Sequence, residues 1–436
     1  MRFAYNILFV LFFWLSAPYY FWKMWRRGNW RAGLGQRFGR YSPELKTALG
    51  KRPVVWLHAV SVGEVGVCWQ LIRALEPHLS AFQILVSTTT STGMAELQRL
   101  LPAHIQRIYY PADFAGGVRR AMKAIQPRVI ILVEAELWPN FLNQAIAARC
   151  PLFLANARFS VRSTRNYGFF GFFFKPIFAR FSGVGCQQAE DASRMIELGF
   201  RPEAVHLTGN LKFDAAQPGA GSGPDVPALL RHVGVGPKAM ILVAGSTHAG
   251  EEALLADVFL RLRRRFPNLF LVLVPRHFER TKEVAWELKS RGVKYVLRSI
   301  IPEGKAAAPG ECECLLVNST GELKYFYEQA TVVFVGKSLT AQGGQNPIEP
   351  AALGKPVVLG PNMQNFASVT RAFLGSQAVV QVQNASELES ALADLLGNAD
   401  RRAELGERAR QVVQQNLGAT ERTVKFIMEG IYPPAG

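Results

Sequence analysis

Short apolar runs recur along this chain in two separate series, each run followed by a stretch with helical spacing of its apolar residues. In the first series, residues 54–58 (VVWLH), 83–88 (QILVST), 129–133 (VIILV) and 152–155 (LFLA) read as buried strands, with amphipathic helices over 65–79 and 114–125. Continuous apolar strands joined by helical crossovers require cover on both faces, which predicts a parallel sheet. The second series runs through 241–244, 269–274, 315–317, 332–335 and 357–359, with helices over 253–266 and 279–291 and polar helices over 386–432. Between the two, residues 215–237 hold Pro218, Gly219, Gly221, Gly223, Pro224, Pro227, Gly234, Gly236 and Pro237, the composition of a linker. The expected architecture is α/β, two halves of similar size joined by a hinge with a cleft between them. Ligands of such sheets bind at the carboxyl ends of the strands.

Charge narrows the class of ligand. The 436 residues carry 50 Lys+Arg against 33 Asp+Glu, a net +17, and 49% are hydrophobic. That excludes a disordered chain or a disulfide-bound mini-domain and points to an anionic partner. Residues 1–52 contain ten cations against the single acid Glu44, a net +9, directly behind the uncharged run 3–22. Twenty residues at helical rise match a ~30 Å hydrocarbon layer, and Trp14, Tyr19, Tyr20, Trp22 and Trp25 crowd toward the charged end. The run is expected to be an N-terminal membrane anchor (residues 1–27) with the body on the cytoplasmic side; a buried core helix or a signal peptide is the competing reading. Cys68, Cys150, Cys186, Cys312 and Cys314 are odd in number and scattered, and read as structural.

Several strand ends carry groups suited to chemistry. Strand 54–58 leads into Ser61-Val62-Gly63-Glu64, where Glu64 sits in the first turn of a helix. It is either a dipole-stabilised helix residue or a general base for a hydroxyl. Strand 129–133 runs into Glu134-Ala135-Glu136-Leu137-Trp138-Pro139-Asn140. Two carboxylates at a buried strand end need a partner or a function, unless one caps the helix that Pro139 starts. Lys212, in Gly209-Asn210-Leu211-Lys212-Phe213-Asp214, is either an electrostatic stabiliser or a solvated lysine.

In the second series, strand 269–274 ends at Pro275-Arg276-His277, and a guanidinium fork suits phosphate. Ser246 and Thr247 followed by Glu251 and Glu252 read as a helix start, and Asn318-Ser319-Thr320-Gly321-Glu322 as a turn feeding a helix. Gly343-Gly344-Gln345-Asn346-Pro347-Ile348-Glu349 predicts an Asn cap with Pro at the first helical position; Glu349 either grips ribose hydroxyls or only completes the cap. No Walker loop, HExxH or CxxC pair is present, and no nucleic-acid recognition motif accompanies the basic stretch.

Taken together, WLHAVSVGEV, STTTSTG, VEAELWPN, LANARFS, GNLKFD, AGSTHAGEE, LVPRHFER and GGQNPIEPAALGKPVV resemble the 3-deoxy-D-manno-oct-2-ulosonic acid (Kdo) transferases of lipopolysaccharide assembly, over roughly 54–359. The resemblance implies a GT-B glycosyltransferase of two Rossmann-like domains that inverts the sugar without metal or other cofactor. Its donor would be CMP-Kdo and its acceptor the lipid A precursor (lipid IVA), at the cytoplasmic face of the inner membrane, with no nucleic acid involved. Residues 28–214 would form the acceptor domain and 238–436 the CMP-Kdo-binding domain. By position, Glu64 resembles the catalytic base, and Glu134 and Lys212 the transition-state-stabilising residues. CMP-Kdo contacts would fall on Pro275 and Arg276, on Thr320, Gly321 and Glu322, and on Asn346, Pro347, Ile348 and Glu349. Gln345 and Asn318-Ser319 depart from the His and Asp-Thr of the family pattern. The competing functions are another GT-B transferase or epimerase using a nucleotide sugar, and a non-catalytic membrane-tethered binder of anionic lipid.

Overall fold

Valine, leucine and tryptophan alternate along Val54–His58, and both faces of this strand, β1, are fully buried. Val54 and Trp56 enter one hydrophobic cluster, and Val55 and Leu57 enter another on the opposite side. Each such side chain contributes about 1.5–3 kcal/mol on burial, so β1 belongs in the middle of a sheet and nowhere else. The protein is described by a computed structural model covering residues 2–26, 33–134, 137–159, 161–215, 223–303 and 310–432.

Around β1 stand β2 (Gln83–Thr88), β3 (Gln106–Tyr109), β4 (Pro127–Val133), β5 (Leu152–Ala157), β6 (Gly183–Cys186) and β7 (Val205–Leu207). They form a seven-stranded sheet in the order β3-β2-β1-β4-β5-β6-β7. A second seven-stranded sheet takes β8 (Met240–Thr247), β9 (Leu269–Pro275), β10 (Tyr295–Leu297), β11 (Cys314–Leu316), β12 (Val332–Val335), β13 (Val357–Leu359) and β14 (Val380–Gln381), in the order β10-β11-β9-β8-β12-β13-β14. The pairings in both sheets are parallel, as continuous apolar strands with helical crossovers require. Strands β3, β7, β10 and β14 are short and carry little apolar sequence, and β6 (GVGC) is buried but disguised by two glycines. A Cβ on Gly183 or Gly185 would lie within 2.9 Å of the Phe426 ring, so that strand is glycine where another helix lies on it.

That helix, Ala419–Ile431, corrects the expected limit of the second domain at 436. The chain divides into one unit of 1–215 with 417–436 and another of 216–416. Phe426 and Ile427 bury themselves among side chains of the first sheet, and Asp214 accepts from the backbone N–H of Gly418 (2.8 Å) and Thr420 (2.6 Å). The expected linker, 215–237, is helical in part. Residues 216–222 lie outside the described residues, but Val226–His232 is a helix, capped by Asp225, whose Oδ1 accepts from Ala228 N.

The expected anchor is a helix, Arg2–Arg26, yet among the described residues no helix is long and apolar enough to cross a membrane. Tyr5, Asn6, Ser16, Pro18 and the tryptophans replace the aliphatic residues a spanning helix needs. One face docks on the first unit: Phe9 and Phe13 lie 5.2 and 4.7 Å from the Phe114 ring, and Asn140 Nδ2 donates to Asn6 Oδ1 (2.7 Å). Tyr5 donates to the buried carboxylate of Asp113 (2.8 Å), which also accepts the first free amides of helix Pro139–Ala147, from Asn140 (2.9 Å) and Phe141 (2.8 Å). Asp113, rather than Glu134, therefore satisfies the helix that Pro139 opens.

Burial pushes the Asp113 carboxyl up to about 6, against the pull of its three donors. Its ordinary value is 3.8, so the folded state holds this proton more tightly and stability falls as pH rises from about 4 to 6. The stability of the wild type relative to Asp113→Asn is expected to drop by about 3 kcal/mol across that window, from the roughly 1.4 kcal/mol that each pH unit represents. Urea unfolding of both proteins at pH 4, 5, 6 and 7 measures it; a difference that stays flat or grows with pH defeats the assignment.

Candidate active site

Strand order reverses between β1 and β4 in the first sheet and between β8 and β12 in the second, and ligands of doubly wound sheets bind at such points. Most of the candidate residues follow strands at or beside these points, within each unit.

Beyond β1, Ser61 caps helix Val62–Leu75. Its hydroxyl accepts from Glu64 N (3.3 Å) and donates to Glu64 Oε1 (2.8 Å), and Val60 N donates to Glu64 Oε2 (2.9 Å). The cap orients the carboxylate while leaving it partly exposed. His58, at the end of β1, is buried and stacked on Tyr110 at 3.8 Å, and burial holds its pKa down to about 3. It is a neutral wall of this region rather than its base.

Glu134 directly follows the neighbouring strand β4, with a left-handed backbone (φ 66°). Lys212 Nζ lies 2.9 Å from Glu134 Oε1, so the structure brings these two candidates together; Glu136 lies outside the described residues. The left-handed turn costs about 1–2 kcal/mol in a residue with a side chain. A partly exposed ion pair returns only about 0–1 kcal/mol. The arrangement is thus poorly explained by stability, and strain of this kind marks functional sites.

In the second unit, Pro275 is buried at the end of β9 and Arg276 is exposed just beyond it, its N–H donating to Thr247 O (3.0 Å). Asn346 Oδ1 accepts from Ile348 N (3.0 Å) and its amide donates to Glu349 Oε1 (3.0 Å). The helix begins at Ile348 with Pro347 as its cap residue, one place later than the expected Pro start. Burial pushes the Glu349 carboxyl up, and Asn346, Arg276 and Lys324 pull it back down. Buried Tyr327, whose phenol is held protonated by burial and by Glu349, stands where a Cβ on Gly245 would lie 2.1 Å from its hydroxyl.

Thr320 and Gly321 form an exposed turn beyond β11, with Gly321 at φ 84°. Glu322 is engaged by Arg298 at 2.9 and 3.1 Å and by Ser319 Oγ at 2.7 Å. Asn318 spends its amide on Ser299. The expected helix start at Ser246 and Thr247 is displaced: those residues finish β8, and the helix begins at Glu251.

Sequence reasoning did not assign Glu251 its role. Its buried carboxylate accepts four backbone N–H groups, from His248, Lys337, Ser338 and Leu339 (2.7–3.0 Å), tying the loop after β8 to the loop after β12. The Glu251-Glu252 pair was visible, but nothing in it announces partners 86 to 88 residues away. Lys324, Tyr327 and Asn156 were likewise missed.

Two parallel α/β sheets with candidate groups at both reversal points define a fold of the GT-B type. A solved glycosyltransferase from Rickettsia africae ESF-5 shares this fold at 12% identity and a TM-score of 0.57, covering 88% of this chain and 100% of that one. The family described as 3-deoxy-D-manno-octulosonic-acid transferase (kdotransferase) matches residues 32–215, and glycosyl transferases group 1 matches 305–412. The 3-deoxy-D-manno-octulosonic acid transferase of Bordetella pertussis is 34% identical over 94% of this chain and 95% of its own length. Its counterpart from Haemophilus influenzae is 32% identical over 92% and 91%. The chain belongs to the 3-deoxy-D-manno-octulosonic acid transferase family.

Proposed function

We propose that this protein transfers Kdo from CMP-Kdo to the lipid A precursor (lipid IVA) in lipopolysaccharide assembly, by a single inverting displacement. Family membership supports the sugar and the pathway. The observation that carries the chemistry is the placement of Glu64 and the Glu134–Lys212 pair beyond the carboxyl ends of adjacent strands β1 and β4.

In this reading Glu64 removes the proton of the acceptor hydroxyl as its oxygen bonds to the anomeric carbon. The bond to CMP breaks on the opposite face, and the electron pair leaves with the phosphate. The sugar gains oxocarbenium-like positive charge, which Glu134 favours, while Lys212 meets the negative charge that develops. Arg276 supplies a fork for the donor phosphate and Glu349 an acceptor for ribose hydroxyls, with Pro275, Thr320, Gly321, Glu322, Asn346, Pro347 and Ile348 shaping the donor site. These charges are suited to the leaving group without a metal or other cofactor.

The protein is proposed to act at the cytoplasmic face of the inner membrane, with helix Arg2–Arg26 lying in the interface. Leu8, Leu11, Phe12, Leu15, Tyr19 and Trp22 recur at helical spacing on its exposed side, and Leu15 is 83% exposed. Exposed Phe169, Phe170 and Phe172 add apolar surface on the same unit, and the basic residues of 1–52 suit anionic headgroups.

Incubation of purified protein with CMP-Kdo and tetraacylated lipid A precursor, read by mass spectrometry, is expected to show the acceptor gaining whole Kdo units and release of CMP. Flotation with anionic but not neutral vesicles accompanies it. No mass gain on lipid A precursor rejects the acceptor; no flotation rejects the interfacial helix.

A further inference from the structure

We infer that Asn156 is a positioning residue that holds Glu134 and the Lys212 turn in register. Asn156 lies in β5, next to β4, and is fully buried. Its amide bridges the two elements that carry the pair. Nδ2 donates to Glu134 Oε1 (3.4 Å), and Oδ1 accepts from Leu211 N (3.1 Å), in the turn where Lys212 stands. Asn210 caps the same turn, its Oδ1 accepting from Lys212 N (3.0 Å).

The bridge depends on backbone geometry. Asn156 is left-handed (φ 56°), as is Glu134 (φ 66°), and asparagine is among the few side chains that tolerate this region. Glu134 N donates to Ala155 O (2.9 Å), which fixes the ends of β4 and β5 to each other, and Gln187 Nε2, just after β6, donates to Asn156 O (3.0 Å). A carboxylate and an ammonium on separate segments, β4 and the 211–214 turn, hold a catalytic geometry only if something sets their spacing. Asn156 touches both segments. The inference rests on the reading of Glu134 and Lys212 as groups that act on the reacting sugar.

Asn156→Asp tests it. Aspartate keeps the acceptor for Leu211 N and tolerates the left-handed backbone, but sets a carboxylate oxygen against Glu134 Oε1. A misplacement of about 1 Å near the chemistry costs roughly 10²-fold, so kcat is expected to fall by about that factor. KM for CMP-Kdo and for acceptor should stay within about threefold, because uniform binding is untouched. Adding Asn156→Asp to Glu134→Gln should produce little further loss, since its effect passes through Glu134. Where the Asp protein fails to fold, Asn156→Gly, which adopts the same φ without strain and lacks both bonds, takes its place with the same readouts. A kcat within threefold of wild type, or an equal loss in the wild-type and Glu134→Gln backgrounds, overturns the inference. Normal turnover by Glu134→Gln alone overturns the reading of Glu134 beneath it.

Discussion

Glu64→Gln protein is expected to bind CMP-Kdo and to transfer almost no sugar. Glutamine is accepted at the third position of a capping box, so the amide can still receive the Val60 N–H or the Ser61 hydroxyl that now meet the carboxylate. Helix Val62–Leu75 therefore stays in place, and its buried face of Val65, Cys68, Leu71, Ile72 and Leu75 is unaffected. What disappears is the ability to take a proton, a contribution of about 10²–10⁴-fold. The fall should appear in kcat, with donor affinity measured by calorimetry unchanged and the thermal unfolding midpoint close to wild type. Near-normal turnover in the purified variant would remove Glu64 from the role of base.

Lys212→Met has the second largest expected effect. Methionine follows the length of the lysine stem and removes the charge, leaving the Asn210 cap and the Leu211 and Phe213 core contacts as they are. Loss of one preorganised electrostatic group typically lowers kcat by about 10²–10³-fold. Glu134 then loses its partner at 2.9 Å, but with a quarter of its side chain exposed it can be solvated, so the fold is expected to survive. Single-turnover transfer, compared with CMP binding, separates the two effects. A proportional loss of CMP affinity, with the transfer step intact, would assign Lys212 to donor binding instead.

The central strands were legible because each contains a short continuous apolar run, and a parallel sheet buried on both faces accommodates that pattern. The edge strands were not, since Val205–Leu207 and Tyr295–Leu297 are three residues long and only partly buried. The helix Arg2–Arg26 was visible as an uncharged run, but its partners were not. Phe114, Asp113 and Asn140 lie more than a hundred residues away, and their contacts dock one face of the expected anchor on the first unit. The same holds for Ala419–Ile431: its sequence reads as one more polar helix, and only Phe426 against Gly183 and Gly185 assigns it to the first unit.

At the candidate site the division is sharper. Residue types and local spacing by themselves determined that Ser61 and Glu64 share a helix start, that Asn346 and Glu349 share another, and that Arg276 ends a strand, because those relations span only a few residues. They also singled out Glu134 and Lys212, one by one. Tertiary structure alone decided that these two meet at 2.9 Å, that Asn156 spans the segments they sit on, and that Glu322 is engaged by Arg298. The physical reason is that β4, β5 and the 211–214 turn become neighbours only through sheet order, and a separation of 78 residues between Glu134 and Lys212 leaves no periodicity for sequence to record.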